Sequence, residues 1–223
     1  MTFSIIARCK KTGQFGGAIC SSSPAVAARC LQAKAGVGVA ASQNITDPHL
    51  AIVMLDMIKY DITPEEAINE LVKDTEFIEY RQLSLINSDK KPSAFSGQYT
   101  LGVHAQSIGD NAVCAGNLLA NETVPQQMLR AFEAAEGSLA EKLMQALKAG
   151  AEAGGEAGPI HSAGLMVVDK VPWPVINLRV DWSDNPITDL YQLWKLYEPQ
   201  VEDYVIRALN PANSPSYGVP GDE

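Results

Sequence analysis

The residue best placed to do chemistry is Thr2, which puts a hydroxyl group beside the amino terminus of the chain. Removal of Met1 is expected when the second residue is small, and threonine lies near the upper size limit. Removal would leave a free α-amine next to the hydroxyl. A threonine hydroxyl is a weak nucleophile that needs a base, and the α-amine of the same residue can be that base. Thr2 is therefore a candidate N-terminal nucleophile, although Met-Thr also begins many chains in which it has no such role.

Three polar side chains within or beside strand-like segments are further candidates for contacts with a substrate. Arg81 lies among apolar residues, where a guanidinium group needs a carboxylate or a ligand, and a structural ion pair is the commoner outcome. Asn117 follows Gly116 at the end of a strand-like segment, so it could equally donate to an oxyanion or shape a turn. His161 and Ser162 form a possible proton-transfer pair.

Several other kinds of site are not expected from the sequence. Gly36, Gly38 and Ala41 have the spacing of a dinucleotide-binding motif, but their segment itself has the pattern of a strand. The glycine-rich stretch 150–158 lacks the Gly-Lys-Ser/Thr ending of a phosphate-binding loop. No serine lies in a Gly-x-Ser-x-Gly sequence, which argues against a Ser-His-Asp enzyme. The histidines are isolated along the chain, so neither a metal ion nor another cofactor is expected.

Composition restricts the partners that the protein can have. The chain has 223 residues and a formal net charge of −9, with no long run of lysine or arginine. Nucleic acids and anionic membranes are therefore unfavourable partners, because both require clustered positive charge. No apolar run approaches the roughly 20 residues of a membrane span, and the first residues lack the pattern of a signal peptide. We expect a cytoplasmic protein that binds a small molecule.

The four cysteines are expected to be free thiols. None lies at the spacing of a zinc site. Cys9 and Cys20 fall on two neighbouring strand-like runs, but a hairpin that turns near Thr12-Gly13 would put Cys9 close to the turn and Cys20 far from it. The two thiols would not face each other, so a disulfide between them is not expected.

The chain reads as one domain over residues 1–209 with an irregular tail over 210–223, where proline and glycine are frequent. Residues 22–35 are ambiguous, and an apolar stretch of unassigned type runs from Leu50 to Ile58. Alternating apolar residues predict strands at 2–9, 15–21, 36–43, 80–87, 91–96, 112–116, 162–169 and 175–182. Helices are predicted from Thr63 to about Val72, at 123–134 and 138–149, from Asn185-Pro186 onward, and near 200–209.

Helix-start signals support two of these assignments. Thr63 can cap the helix that begins at Pro64, and Ser138 with Glu141 has the spacing of a capping box. The order of strands, helices, strands and helix is typical of a layered α+β fold rather than of a regular β-α-β alternation. Several strands are apolar on both faces, which favours two stacked sheets with helices outside them.

An ordered set of motifs covers the chain from residue 2 to about 197. They are Thr2 to Arg8, Gly13, Phe15 to Ser21, Ala35 to Gly38, Ser42-Gln43, Arg81-Gln82, Ser96-Gly97, Gly116 to Leu119, and Leu178 to Asp181. This set resembles a bacterial family of unknown function in the Ntn-hydrolase superfamily. The resemblance implies a four-layer αββα sandwich of two mainly antiparallel sheets flanked by helices, and hydrolysis of an amide-like bond. The chain departs from the family pattern at Ser42, where the family usually has threonine, and in the loop 156–161.

The sequence allows two main hypotheses about function, an enzyme and a binding protein. The first is an Ntn-type amidohydrolase in which Thr2 is the nucleophile and Ser42, Gln43 and Asn117 contact an oxyanion or substrate, with Arg81 and His161 as further candidates for substrate contact. The second is a non-catalytic binding protein on the same fold, which predicts that Met1 stays in place; a structural or assembly subunit is a third possibility. A homodimer is expected because symmetric dimers are the commonest soluble assemblies.

Overall fold

The computed structural model describes residues 1–219 and arranges them in four layers: helices, a six-stranded sheet, a four-stranded sheet, and helices again. The strands are β1 Thr2–Arg8, β2 Phe15–Ser21, β3 Leu31–Lys34, β4 Gly38–Asn44, β5 Arg81–Asn87, β6 Ser93–Ser96, β7 Ala105–Ile108, β8 Ala112–Asn117, β9 Ser162–Val168 and β10 Pro174–Val180. The helices are α1 Ala27–Cys30, α2 Pro48–Ile58, α3 Pro64–Asp74, α4 Val124–Ala134, α5 Leu139–Glu152, α6 Pro186–Tyr197 and α7 Val201–Leu209.

Both sheets are antiparallel throughout the pairs formed by these strands. The larger sheet has the order β10-β9-β2-β1-β8-β7, and the smaller sheet has the order β3-β4-β5-β6. Strand β1 occupies a central position in the larger sheet and lies across β4 and β5 of the smaller one. The predicted α+β sandwich of two stacked antiparallel sheets flanked by helices is therefore confirmed.

The alternation of residues along β1 assigns its two faces to different layers. Phe3, Ile5 and Ala7 pack into the core formed with helices α4, α5 and α6. Ile6 instead belongs to the core between the two sheets. Because side chains alternate along a strand, Thr2 and Ser4 share the face of Ile6 and point into the space between the sheets.

The hairpin of β1 and β2 brings small residues into close contact with neighbouring backbone. A Cβ atom on Gly16 would lie 2.5 Å from the carbonyl oxygen of Met166, and one on Gly17 would lie 2.9 Å from that of Ile5. Only glycine fits such approaches without displacement of the neighbouring strand. The cysteines are free, and Cys20 pairs in register with Phe3, far from the turn, as predicted.

Four elements differ from the sequence-based assignment. Strands β3 and β7 were not predicted; both are short edge strands, and their half-exposed residues give little alternation. The unassigned apolar stretch is helix α2, which is capped by the side chain of Asp47. Helix α5 runs to Glu152, beyond the predicted end at 149, because the chain stays helical into the glycine-rich stretch.

The two predicted helix starts have different outcomes. At α3 the Thr63 hydroxyl accepts from the Glu66 amide, and the Glu66 carboxylate accepts from the Thr63 amide, which completes a capping box. At α5 the Ser138 hydroxyl accepts from the Glu141 amide. The reciprocal half of the predicted box is wrong, because the Glu141 carboxylate accepts instead from Trp194 and Lys195 of α6.

No helix within residues 1–219 is long and apolar enough to cross a membrane. Helix α7 ends at Leu209, and residues 220–223 of the predicted tail lie outside the described residues. The division of the chain at residue 209 stays a prediction.

Candidate functional site

Thr2 is held at the start of a central strand, in the space between the sheets. It pairs in register with Asn117 at the end of β8, while Phe3 pairs with Cys20 of β2. The Thr2 side chain is 6% exposed. Pairing with β8 at Thr2 and with β2 at the next residue holds the backbone here, so the position of the Thr2 hydroxyl is determined by the sheet rather than by a loop.

Two hydroxyl groups converge on the carbonyl group of the Met1–Thr2 peptide bond. The Thr2 hydroxyl donates to the Met1 carbonyl oxygen at 2.5 Å, and the Ser21 hydroxyl donates to the same oxygen. The Oγ atoms of Thr2 and Ser21 are 3.3 Å apart. The Ser21 hydroxyl is thus placed to donate to a carbonyl oxygen that lies beside the Thr2 hydroxyl, and a donor in this position is what acyl transfer requires. Ser21 was not among the predicted site residues.

Ser21 is itself supported by neighbouring polar groups. Its Oγ atom lies 2.9 Å from the Oγ atom of Ser23, and it accepts from the Ser23 amide at 3.2 Å. The guanidinium group of Arg29 donates to the Ser23 hydroxyl at 2.6 Å. This chain of contacts restricts the rotation of the Ser21 hydroxyl and places a positive charge two groups away from it.

A row of buried amide side chains joins the two sheets beside Thr2. Ser4 Oγ donates to Gln43 Oε1 at 2.7 Å, and Gln43 Nε2 donates to Gln82 Oε1 at 2.7 Å. Asn117 Nδ2 donates to the same Gln82 oxygen at 3.2 Å. All four residues are buried. The structure therefore brings the predicted residues Gln43 and Asn117 into one network and adds Gln82, which the sequence-based selection missed.

Gln82 is the centre of this row because its amide oxygen accepts from Gln43 and Asn117 while its amide nitrogen donates to two further groups. Its Nε2 atom donates to the Gly116 carbonyl oxygen at 3.1 Å and to Ser96 Oγ at 3.0 Å. Because both the oxygen and the nitrogen of the Gln82 side chain are hydrogen-bonded, Gln82 holds the Asn117 amide in one orientation. The NH₂ group of Asn117 carries two hydrogens, so Asn117 can donate a second hydrogen bond toward Thr2.

Glu156 places a buried carboxyl group near the amino terminus. The loop between α5 and β9 is fixed by an isolated bridge between Glu156 and Leu119, and Glu156 is 5% exposed. Glu156 Oε2 accepts from the Ser22 amide at 3.1 Å, whereas Oε1 has no hydrogen-bond partner within residues 1–219. Burial raises the pKa of Glu156 to about 7, and this rise is opposed by the charge of the α-amino group and by the bonds from Ser22.

The raised pKa of Glu156 predicts how stability depends on pH. Below the ordinary carboxyl pKa of 4.5 the group is protonated in both the folded and the unfolded chain. Between that value and about 7 only the unfolded chain releases the proton, so the folded state loses stability as the pH rises. Glu156→Gln is expected to remove this loss and to be more stable than wild type by up to about 3 kcal/mol above pH 7.

Denaturant unfolding of both proteins from pH 4 to pH 8 measures this effect. The stability difference should grow from pH 4.5 to 7 and then stay constant. Glu122→Gln, at an exposed position, is the matched control. A difference that does not change with pH would contradict the assignment of a protonated Glu156 in the folded state.

Ser42 and Arg81 lie on the other face of the smaller sheet. Val39 and Ala41 face the larger sheet, so Ser42 faces the helices, and its hydroxyl donates to the Asp47 carbonyl oxygen at 2.8 Å. Arg81 shares the helix-side face of β5 and donates to the Ile45 carbonyl oxygen. The structure does not bring these two predicted residues to Thr2. Ser42 precedes Gln43 and Arg81 precedes Gln82, and adjacent residues of a strand point to opposite faces, so only the glutamines face the site.

His161 is near the site by backbone but has other side-chain partners. Its amide donates to the Ser21 carbonyl oxygen at 2.9 Å. Its ring stacks on Trp182 with centroids 4.3 Å apart, and Nδ1 lies 3.1 Å from the Ser183 carbonyl oxygen. Ser162, its predicted partner in proton transfer, donates instead to the Ser23 carbonyl oxygen at 2.6 Å. The structure thus places the backbone of His161 beside the serine residues 21–23, and its ring is not against the Thr2 hydroxyl.

No group of three or more histidine, cysteine, aspartate or glutamate side chains within residues 1–219 could hold a metal ion. The polar groups gathered around Thr2 are hydroxyl, amide and carboxyl groups. The combination of a buried hydroxyl at a chain terminus, a second hydroxyl on the adjacent carbonyl, and fixed amide donors is suited to nucleophilic attack on a carbonyl carbon.

Residues 2–190 match the model of a family described as "Family of unknown function (DUF1028)". The crystal structure of protein SPO2555 from Silicibacter pomeroyi, described with the same family model, is similar at 28% identity and a TM-score of 0.82 over 88% of each chain. No curated protein matches the sequence.

Two solved structures have weaker likenesses. HslV from Trypanosoma brucei has 12% identity and a TM-score of 0.43, over 76% of this chain and 99% of that chain. Anbu from Yersinia bercovieri has 11% identity and a TM-score of 0.41, over 91% of this chain and 96% of that chain.

Proposed function

The chain belongs to the DUF1028 family, and from the geometry around Thr2 we propose that it is an N-terminal-nucleophile hydrolase that cleaves an amide-type bond of a small molecule. The observation that carries this proposal is the convergence of the Thr2 and Ser21 hydroxyls on one carbonyl oxygen at the start of β1. The site is competent only after Met1 is removed, because Met1 covers Thr2 and occupies its α-nitrogen.

The reaction follows from the positions of these groups. Thr2 Oγ1 attacks the carbonyl carbon of the substrate, and the α-amine of Thr2 accepts the hydroxyl proton. The developing oxyanion takes the place of the Met1 carbonyl oxygen and accepts from Ser21, which donates to that oxygen in the structure. The second hydrogen of the Asn117 amide is the proposed further donor. The α-amine then gives its proton to the leaving amine as the C–N bond breaks. Water hydrolyses the ester on Thr2 by the same route and restores the hydroxyl.

The row of amides keeps this arrangement ready before substrate binds. Gln43 and Gln82 are buried and bonded to each other, so they cannot reorient without breaking hydrogen bonds in a low-dielectric region. Donors fixed in advance stabilise a transition state without a cost of reorganisation. Gln43 and Gln82 are in this sense positioning residues, while Thr2 is the catalytic residue.

Removal of Met1 is expected to switch the activity on. Protein released from an amino-terminal fusion so that Thr2 is the first residue should hydrolyse members of a panel of amides and ureides. The same protein with Met1 retained is the matched control and should be inactive, because its α-nitrogen is an amide with no basicity. Intact-mass measurement verifies each form before the assay. Equal activity of the two forms would refute the mechanism.

A non-catalytic binding protein on the same fold is the second candidate. It is favoured by the packing of Met1, whose carbonyl accepts two hydrogen bonds and whose side chain lies against Gly158. This function requires that Met1 stay in place in the native host, whereas the hydrolase requires its loss. The intact mass of protein isolated from that host decides between them.

The proposal extends to the partners, localisation and assembly of the protein. The formal net charge of −9 supports a small-molecule substrate rather than nucleic acid or an anionic membrane. We propose a cytoplasmic homodimer, for which sedimentation of the Met1-free protein is the direct measurement.

A further inference from the structure

Met1 fills the space in which an acyl group must sit when Thr2 reacts. Its carbonyl oxygen receives the hydrogen bonds of Thr2 and Ser21. The terminal carbon and the sulfur of its side chain lie 3.1 and 3.5 Å from the point where a Cβ atom on Gly158 would be. Its charged α-amino group is close enough to Glu156 to act on that carboxyl group electrostatically. Met1 thus contacts the two hydroxyls and Gly158, and it acts on Glu156 through its charge.

The acyl group of a substrate would occupy nearly the same space. In the structure the Met1 acyl group is bonded to the nitrogen of Thr2, and in an acyl-enzyme the substrate acyl group would be bonded to Oγ1 of the same residue. The Met1 carbonyl oxygen and Thr2 Oγ1 are only 2.5 Å apart. The groups bonded to the carbonyl carbon therefore start from neighbouring positions in the two cases.

We propose that this space is the acyl subsite and that it takes amides of α-amino acids with a free amino group, with the Glu156 carboxylate as the counter-ion of the substrate amine. The proposal rests on the proposed function and names its substrate class. The carbonyl oxygen is bound by Ser21, and an unbranched side chain of the substrate extends toward Gly158.

Glu156 has the properties of a group that needs a cationic partner. It is 5% exposed, and Oε1 has no hydrogen-bond partner within residues 1–219. A buried carboxylate with a single backbone donor is costly unless a positive charge completes it. The nearby cation Arg29 is directed elsewhere, to the Ser23 hydroxyl and to backbone carbonyls. A substrate ammonium group in the place of the Met1 amine supplies the missing charge.

The absence of a side chain at Gly158 gives the subsite its room for a long side chain. With methionine in place, an added Cβ atom would lie 3.1 Å from the terminal methyl carbon, a distance that would force one of the two groups to move. A larger residue at position 158 should therefore exclude methionine but still admit a short side chain such as that of alanine.

Calorimetric titration of verified Met1-free protein with L-methioninamide and N-acetyl-L-methioninamide at pH 8 tests the amine. The free amine is expected to bind at least about tenfold more tightly, since hydrogen bonds to charged groups are worth this much. Glu156→Gln keeps an acceptor for the Ser22 amide but has no charge, so it should lose the preference while it retains the affinity for the acetylated probe. Equal binding of the two probes by wild type, or an unchanged preference in Glu156→Gln, overturns the proposal.

A second variant tests the side-chain end of the subsite independently. Gly158→Val should weaken the binding of L-methioninamide at least about tenfold relative to L-alaninamide, because overpacking of a filled site is unfavourable. An unchanged ratio contradicts the placement of the side chain. Assays of ammonia release in the same samples separate the two proposals. Tight binding without release refutes the hydrolase but not the subsite, whereas equal release from free and acetylated amides refutes the subsite but not the hydrolase.

Discussion

Replacement of Thr2 by alanine is expected to lower hydrolysis by about a thousand-fold or more, since an enzyme that loses its nucleophile keeps only the contribution of binding and oxyanion contacts. Alanine is small enough to permit removal of Met1, so the variant keeps the free α-amine. The cost in stability should be about 1 kcal/mol, the usual value of one hydrogen bond. Turnover of the substrate found with wild-type protein, measured beside denaturant unfolding, provides both values.

Two variants control this measurement. Thr2→Ser keeps a hydroxyl group and an excisable amino terminus, so activity should survive. Ser84→Ala removes a different buried hydroxyl on the face of β5 that points toward the larger sheet, and it should leave turnover unchanged. Retention of full activity by Thr2→Ala would exclude Thr2 as the nucleophile.

Replacement of Arg8 by leucine is expected to destabilise the fold by about 3–5 kcal/mol, because three backbone carbonyls lose a charged donor and such hydrogen bonds are worth about 1.5–3 kcal/mol each. Arg8 is 5% exposed at the end of β1. Its guanidinium group donates to the carbonyl oxygens of Asn87 and Lys90 at 2.8 Å and of Asp110 at 2.7 Å. Asn87 ends β5, Lys90 lies in the turn that follows it, and Asp110 lies in the turn before β8. Without Arg8 the Asn87 carbonyl would remain buried and unpaired, and the two turns would lose the donor that joins them.

Arg179→Leu is the matched control for this variant. Arg179 is an exposed arginine on β10 whose partner is Asp181, at 2.8 Å between Nη2 and Oδ2. Exposed ion pairs contribute up to about 1 kcal/mol, so its loss should be small. Chemical denaturation at neutral pH compares the two variants, and a cost below about 1 kcal/mol for Arg8→Leu would show that water satisfies the turn carbonyls.

The strands were predictable where apolar residues alternate along the sequence at every second position over several residues. Strand β2 was placed at its observed bounds, and β1 within one residue, because apolar and small residues alternate on either side of a glycine-containing turn. Strands β3 and β7 carry no such pattern, since edge strands are half-exposed and need no buried face. Their formation depends on pairing with β4 and β8, which a local sequence window does not contain.

The site was predictable in part for the same geometric reason. Thr2 and Asn117 were chosen from different parts of the chain, and the strand register puts them opposite each other. At Ser42-Gln43 and Arg81-Gln82 the sequence offered two adjacent polar residues, and adjacent residues of a strand point to opposite faces. Only knowledge of which face meets the other sheet selects the glutamines.

Glu156 and Ser21 were harder to identify for different reasons. The loop 156–161 was noted only because it departs from the family pattern, and nothing in its composition indicates that one carboxyl group is buried. Ser21 lies at the end of a strand of small residues, where a serine usually only fills space. Its role depends on the contact with Met1, which forms only when β1 and β2 pair.

The burial of the first residues of β1 has a practical consequence for how activity would be sought. An affinity tag fused to the amino terminus would leave Thr2 acylated, and the fused residues would lie where we place the substrate. Screens that use such fusions would return false negatives for every substrate tested, however suitable the substrate library. Inactive results would then reflect the design of the reagent rather than the biology of the protein.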